Sequence, residues 1–142
     1  MNRLQGTLTL DTSAIIEFLI GSHQGEAVRD YFANLKFDER ANCSLYTISE
    51  IFYVMCRLKG EDFAHEKIDH LLLSNMISIH NSIELAMKTG ELKCERTVSL
   101  ADCSSIATAI ITNTRVVFTK EEELMREITK KPFEVEIIFL EK

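Results

Sequence analysis

Four times along this chain a short apolar run, too brief for a helix, gives way within a residue or two to a segment with helical apolar spacing. A fifth such run comes near the end. The runs are Leu8 to Leu10, Cys43 to Tyr46, Met76 to His80, Arg115 to Phe118 and Val135 to Leu140. Between them the spacing predicts helices from Thr12 to Ile20, Glu26 to Leu35, Thr47 to about Lys59, Phe63 to Leu73, Ser82 to about Glu91 and Ser99 to about Ile111, and a short acidic helix from Lys120 to about Ile128. Gly21 and Gly60 stand where helices commonly stop. Strands alternating with helices are joined by right-handed crossovers, which lay helices over both faces of a parallel sheet. The predicted class is therefore α/β, with a five-stranded, mostly parallel sheet between two layers of helices. One proline and five glycines suit long regular elements better than a turn-rich sandwich. At 142 residues, with no linker or repeat, one domain over residues 1–142 is expected.

Composition narrows the function. With 46% hydrophobic and 27% charged residues the chain is an ordinary globular mixture rather than a disordered tail. No uncharged apolar run approaches the ~20 residues a bilayer requires. Asp11 and Glu17 interrupt the stretch from Leu4 to Ile20, so it does not read as a signal peptide. Cys43, Cys56, Cys94 and Cys103 include no C-x-x-C pair, which leaves little for a zinc or thioredoxin-like reading and predicts reduced thiols in a cytoplasm. The net charge of −6 argues against a broad basic surface for nucleic acid, but not against a nuclease whose metal site is built from acids.

In open α/β sheets, ligands bind beyond the carboxyl ends of the strands. Asp11 follows the first run, Glu50 lies soon after the second, Glu121 soon after the fourth, and Asp102 near the start of the helix opened by Ser99. An acid is thus expected in the first turn of four helices at one edge of the sheet. Each has a plain structural explanation taken singly. Thr47-x-x-Glu50 reads as a capping box and Ser99-x-x-Asp102 as a close variant, and acids in a first turn complement the helix dipole by roughly 0.3–1 kcal/mol. Taken together they point elsewhere. Nearly unbroken apolar helix follows Asp11 and Glu50, so their first turns should be buried, where an unpartnered carboxylate is costly. No lysine or arginine lies within a turn of Asp11, Glu50 or Asp102. A divalent cation would satisfy them, and Mg²⁺ or Mn²⁺ prefers carboxylate and water oxygens.

Four segments carry a resemblance: Leu8-Thr9-Leu10-Asp11-Thr12-Ser13-Ala14, Thr47-Ile48-Ser49-Glu50-Ile51, Leu100-Ala101-Asp102-Cys103-Ser104-Ser105-Ile106-Ala107-Thr108-Ala109, and Val116-Val117-Phe118-Thr119-Lys120-Glu121. In this order they resemble the motifs of PIN-domain ribonucleases and are most similar to the VapC-type toxins of prokaryotic toxin–antitoxin pairs. The resemblance implies the strand order 3-2-1-4-5 and a Mg²⁺- or Mn²⁺-dependent endonuclease for single-stranded RNA, leaving a 3′-hydroxyl and a 5′-phosphate. It also implies a homodimer inhibited by a cognate antitoxin protein. By position, Asp11, Glu50 and Asp102 match the three core metal-binding acids. The family's fourth acid is usually an aspartate two residues after Thr or Ser. Here Glu121 holds that place, with Thr119 matching the hydroxyl residue. Being one methylene longer, Glu121 is expected to bind through water or to leave the place to Glu123. Thr12 and Ser13 are weaker candidates, since such hydroxyls also serve as caps. The short chain favours a toxin over an RNA-processing PIN nuclease outside such a pair. A degenerate, non-catalytic PIN binding module is the remaining reading and rests on the departure at Glu121.

Rival chemistries fit less well. His65 and His70 are five residues apart on a helix, which turns their rings about 140° away from each other and from a shared zinc. No glycine-rich phosphate loop is present. A haloacid-dehalogenase-like phosphatase would need a second aspartate where Ser13 stands. Cys103 is expected to pack in its helix. Arg57, Lys59, Lys93, Arg96, Arg115 and Lys120 are candidates for RNA phosphates or for a solvated surface, and Tyr46 and Tyr53 are expected in the core rather than under a base.

Overall fold

The computed structural model describes residues 4–141, so residues 1–3 and 142 of the expected domain lie outside the described residues. The elements are β1 (Thr9–Leu10), α1 (Thr12–Ile20), α2 (Gly25–Ala33), β2 (Ala41–Ser44), α3 (Leu45–Lys59), α4 (Glu61–Leu73), β3 (Ile77–His80), α5 (Ile83–Glu95), α6 (Leu100–Thr112), β4 (Val116–Phe118), α7 (Glu122–Lys130) and β5 (Ile137–Phe139). The strands form one sheet in the order β3-β2-β1-β4-β5, with every pairing parallel. This is the predicted class and order.

The period-two geometry of strands divides the interior into two cores. Val117 and Ile138 face one side, packed with Ala14 and Ile15 of α1, Val28 and Phe32 of α2, Ile51 and Met55 of α3 and Ile68 and Leu71 of α4. Their neighbours Val116, Phe118, Ile137 and Phe139 face the other side, packed with Leu85 and Leu92 of α5, Ile106 and Ala107 of α6 and Leu124 of α7. Gly21, at φ 70°, closes α1 in the left-handed conformation. Gly25 opens α2 where an added Cβ would lie 2.1 Å from the Glu17 carbonyl oxygen, so only glycine lets these helices meet.

The second strand lies earlier than the apolar run suggests, at Ala41–Ser44 rather than Cys43 to Tyr46. Its polar Asn42 hides it: the side chain is buried and its Oδ1 bonds His80 Nε2 on the neighbouring strand at 2.9 Å. Ser44, extended at φ −88° and ψ 158°, is then the N-cap of α3, and its Oγ accepts the Thr47 N–H at 3.2 Å. The Thr47–Glu50 capping box therefore does not form. Glu50 falls in the second turn of α3, and that helix begins on exposed Leu45 and Tyr46 rather than on a buried turn.

Candidate active site

The carboxyl ends of β1 and β4 and the first turns of α1 and α6 meet at one edge of the sheet, with α3 beside them. Asp11 ends β1 and caps α1. Its Oδ2 accepts the Ser13 N–H at 3.0 Å and the Ser13 hydroxyl at 2.7 Å, and its Oδ1 accepts the Ser105 hydroxyl from α6 at 2.5 Å. Ser13 Oγ in turn accepts the Thr119 N–H at 3.1 Å, which ties the segment after β4 to the end of β1. Burial lifts the Asp11 pKa to about 6, with the Ser105 and Ser13 hydrogen bonds opposing and the Glu50 charge adding to the rise.

Asp102 is the third residue of α6. The Ser99 hydroxyl accepts its N–H at 3.1 Å, one half of a capping box. Its carboxyl does not complete the box: Oδ2 is buried with no hydrogen-bond partner. Burial, followed by the charges of Asp11 and Glu121, a hydrogen-bond contact with Glu121, and the charge of Glu50, pushes the Asp102 pKa up to about 8. The fold thus brings Asp11, Glu50 and Glu121 within electrostatic range of Asp102 across successive gaps of 39, 52 and 19 residues. Glu121 sits at the N-cap position of α7, exposed and without a side-chain capping bond. Glu123, also exposed, lies in the first turn of α7. Thr12 is buried in the first turn of α1, and Thr119 is half-buried. Among the described residues none of the four acids is in an ion pair.

These side chains suit a hard divalent cation better than a soft one. Among the described residues there is no cluster of three or more His, Cys, Asp or Glu groups placed to hold a metal ion. Mg²⁺ does not demand one, because it keeps several waters and needs one or two carboxylates. The buried, unpartnered Oδ2 of Asp102 beside other acids is the observation that favours such an ion.

The local sequence does not mark Ser105 as a partner of Asp11. The available signal was a serine in the interior of an apolar helix, where its hydroxyl needs a partner. One of the basic candidates turns inward, and a second, exposed Lys93, bonds locally. Arg96 is buried, with Nη1 donating to the Lys131 carbonyl at 2.6 Å, Nη2 donating to the Pro132 carbonyl at 2.9 Å, and the guanidinium 3.8 Å from the Phe133 ring centroid. Lys93 donates to the Val98 carbonyl. Tyr46 and Tyr53 are exposed, contrary to the core expectation, and Arg57 lies over Tyr53. A mostly apolar cleft of about 340 Å³ between α3, α5 and α6 takes in Tyr46, Leu85, Leu100 and Ser104. A cleft of about 830 Å³ lies at the opposite edge of the sheet and includes none of the four acids.

The family profile described as PIN domain matches residues 8–131. The chain belongs to the PIN-domain family. PIN domains are nucleases. No curated protein matches this PIN domain in sequence. Among solved structures it is similar to VapBC2 from Rickettsia felis bound to a promoter DNA fragment, with TM-score 0.70, 16% identity, and coverage of 95% of this chain and 99% of that one. It is similar to DNA-bound VapBC from Salmonella typhimurium, with TM-score 0.68, 17% identity, and coverage of 92% and 96%. It is also similar to VapC20 from Mycobacterium tuberculosis, described as a Sarcin-Ricin loop cleaving toxin, with TM-score 0.65, 17% identity, and coverage of 84% and 94%. At such identities the likeness is one of fold. No helix among the described residues is long and apolar enough to cross a membrane.

Proposed function

We propose that this PIN domain is a Mg²⁺- or Mn²⁺-dependent endonuclease for single-stranded RNA, acting in the cytoplasm as the toxin of a type II toxin–antitoxin pair. In this reading residues 1–142 act as one unit, the active species is a homodimer, and a cognate antitoxin covers the acidic edge. Asp11, Asp102 and Glu50 hold the cation, with Glu121 rather than Glu123 as the fourth acid. Thr119 lies beside them, tied through its N–H to Ser13. One observation carries the reading: the Asp102 Oδ2 is buried and unpartnered among three other carboxylates, an arrangement that needs a cation or a proton. The VapC20 description supports RNA as the substrate, and the VapBC complexes support an antitoxin partner.

Asp11, Asp102 and Glu50 would hold the cation, which when bound would supply activation of water and stabilisation of charge on phosphate. The protein supplies the arrangement. Ser13 and Ser105 fix the Asp11 carboxylate before anything binds. The first turn of α6 aims Asp102 at the same edge, and its carboxyl holds a proton near neutral pH until a cation replaces it.

Asp102→Asn separates this role from a purely structural one. Asp102 accepts no capping bond from the Ser99 N–H and holds a proton near neutral pH without metal, so Asn stands in for the neutral acid while the bond from its own N–H to the Ser99 hydroxyl is kept. The variant should melt at or slightly above the parent temperature without metal. Its cleavage of single-stranded RNA in Mn²⁺ should fall at least ~100-fold, the low end for losing one positioned catalytic group. Parent-like cleavage would overturn the assignment.

A further inference from the structure

The helix α6 carries the hydroxyl residues Ser104, Ser105, Thr108 and Thr112. Hydroxyls inside helices ordinarily bond back to a carbonyl of the preceding turn. Three of these do so: Ser104 donates to the Ala101 carbonyl at 2.7 Å, Thr108 to the Ser104 carbonyl at 2.8 Å and Thr112 to the Thr108 carbonyl at 2.7 Å. Ser105 does not. Its hydroxyl crosses to β1 and donates to Asp11 Oδ1, in a position where the residue is 1% exposed. Residues three apart share a helix face, so α6 presents Asp102 to the acidic edge and, one turn on, the hydroxyl that orients Asp11.

An ionised carboxylate has about four acceptor positions. Ser13 occupies two on Asp11 Oδ2 through its N–H and its hydroxyl, and Ser105 occupies one on Oδ1. The remaining position is on Oδ1, the oxygen whose direction Ser105 sets. We propose that Ser105 is a positioning residue for the metal site, holding Asp11 so that it binds the cation through Oδ1 alone, while Ser13 acts as a tether rather than a ligand. This deepens the nuclease reading and rests on it. Partners one step removed from a metal typically change affinity by about 10–100-fold when removed.

The test is Mn²⁺ affinity of the full chain, followed by the electron paramagnetic resonance of free Mn²⁺, for the parent, Ser105→Ala and Ser105→Thr, with melting temperatures measured in EDTA. Ser105→Ala should bind Mn²⁺ about 10–100-fold more weakly. Ser105→Thr, which keeps the donor, should recover most of that loss. In cleavage assays at saturating RNA, Ser105→Ala should require correspondingly more Mn²⁺ for half-maximal rate, with KM for RNA unchanged. Parent-like Mn²⁺ affinity in Ser105→Ala would overturn the positioning role even if the melting temperature drops, since that pattern marks a packing role only. An equal loss of affinity in Ser105→Thr also contradicts it. A parent chain that binds no Mn²⁺ overturns the metal reading itself, and this inference with it.

Discussion

A carboxyl group buried beside other carboxylates holds its proton longer than one in water, and Asp11 and Asp102 are both in that position, raised from 3.8 to about 6 and about 8. In the unfolded chain both ionise near the ordinary value. Between the two values the folded chain binds more protons than the unfolded one, so stability falls as pH rises. The favourable contribution is full below about pH 4 and is lost on passing through about 6 and then about 8. The rise at Asp11 alone corresponds to on the order of 3 kcal/mol. Urea unfolding in EDTA should therefore give a lower free energy at about pH 8 than at about pH 5, and a higher one would contradict the buried cluster. At this scale Asp11, Asp102 and Glu121 were legible because each follows a strand or opens a helix, a position readable from local pattern, whereas Glu50 lies in the second turn of α3. Ser105 was not, because no local pattern says whether a helical hydroxyl turns back to its own carbonyls or across to another element.

At the scale of elements, the alternation of strands and helices was legible because each strand is a short apolar run cut off by a capping residue. It failed where a buried polar side chain broke the run. Asn42, bonded to His80, shifted β2 two residues earlier than expected and moved the cap of α3 from Thr47 to Ser44. The helix α5 runs to Glu95, beyond the expected Glu91, because Leu92 still packs in the second core. Just after it, Arg96 joins this part of the chain to the C-terminal end of α7, pairing with buried Glu127 at 3.5 Å and reaching the carbonyls of Lys131 and Pro132. Removing one member of a buried pair costs about 3–5 kcal/mol, because the other is left uncompensated. Arg96→Ala should lose stability on that scale in urea unfolding. A loss below about 1 kcal/mol, the range of an exposed pair, would show that the contact is not a clamp.

For the whole molecule, five parallel strands and two cores leave one surface poorly covered. Leu45, Tyr46 and Leu100 are exposed on α3 and α6 and line the 340 Å³ cleft, and Ile83 and Met87 are exposed on α5 outside it. Exposed apolar side chains beside an apolar cleft mark an interaction face. Sedimentation at micromolar concentration should give about twice 16.2 kDa, and a species at 16.2 kDa would contradict the homodimer. Calorimetric titration of the full chain with Mn²⁺ at about pH 7, in buffers of different ionisation heats, decides whether the four acids form a divalent-cation site. Binding should come with net proton release, as the cation displaces the proton held by Asp102, and the release should vanish well above about pH 8. No binding at millimolar Mn²⁺, or binding with no proton released at about pH 7, would contradict such a site.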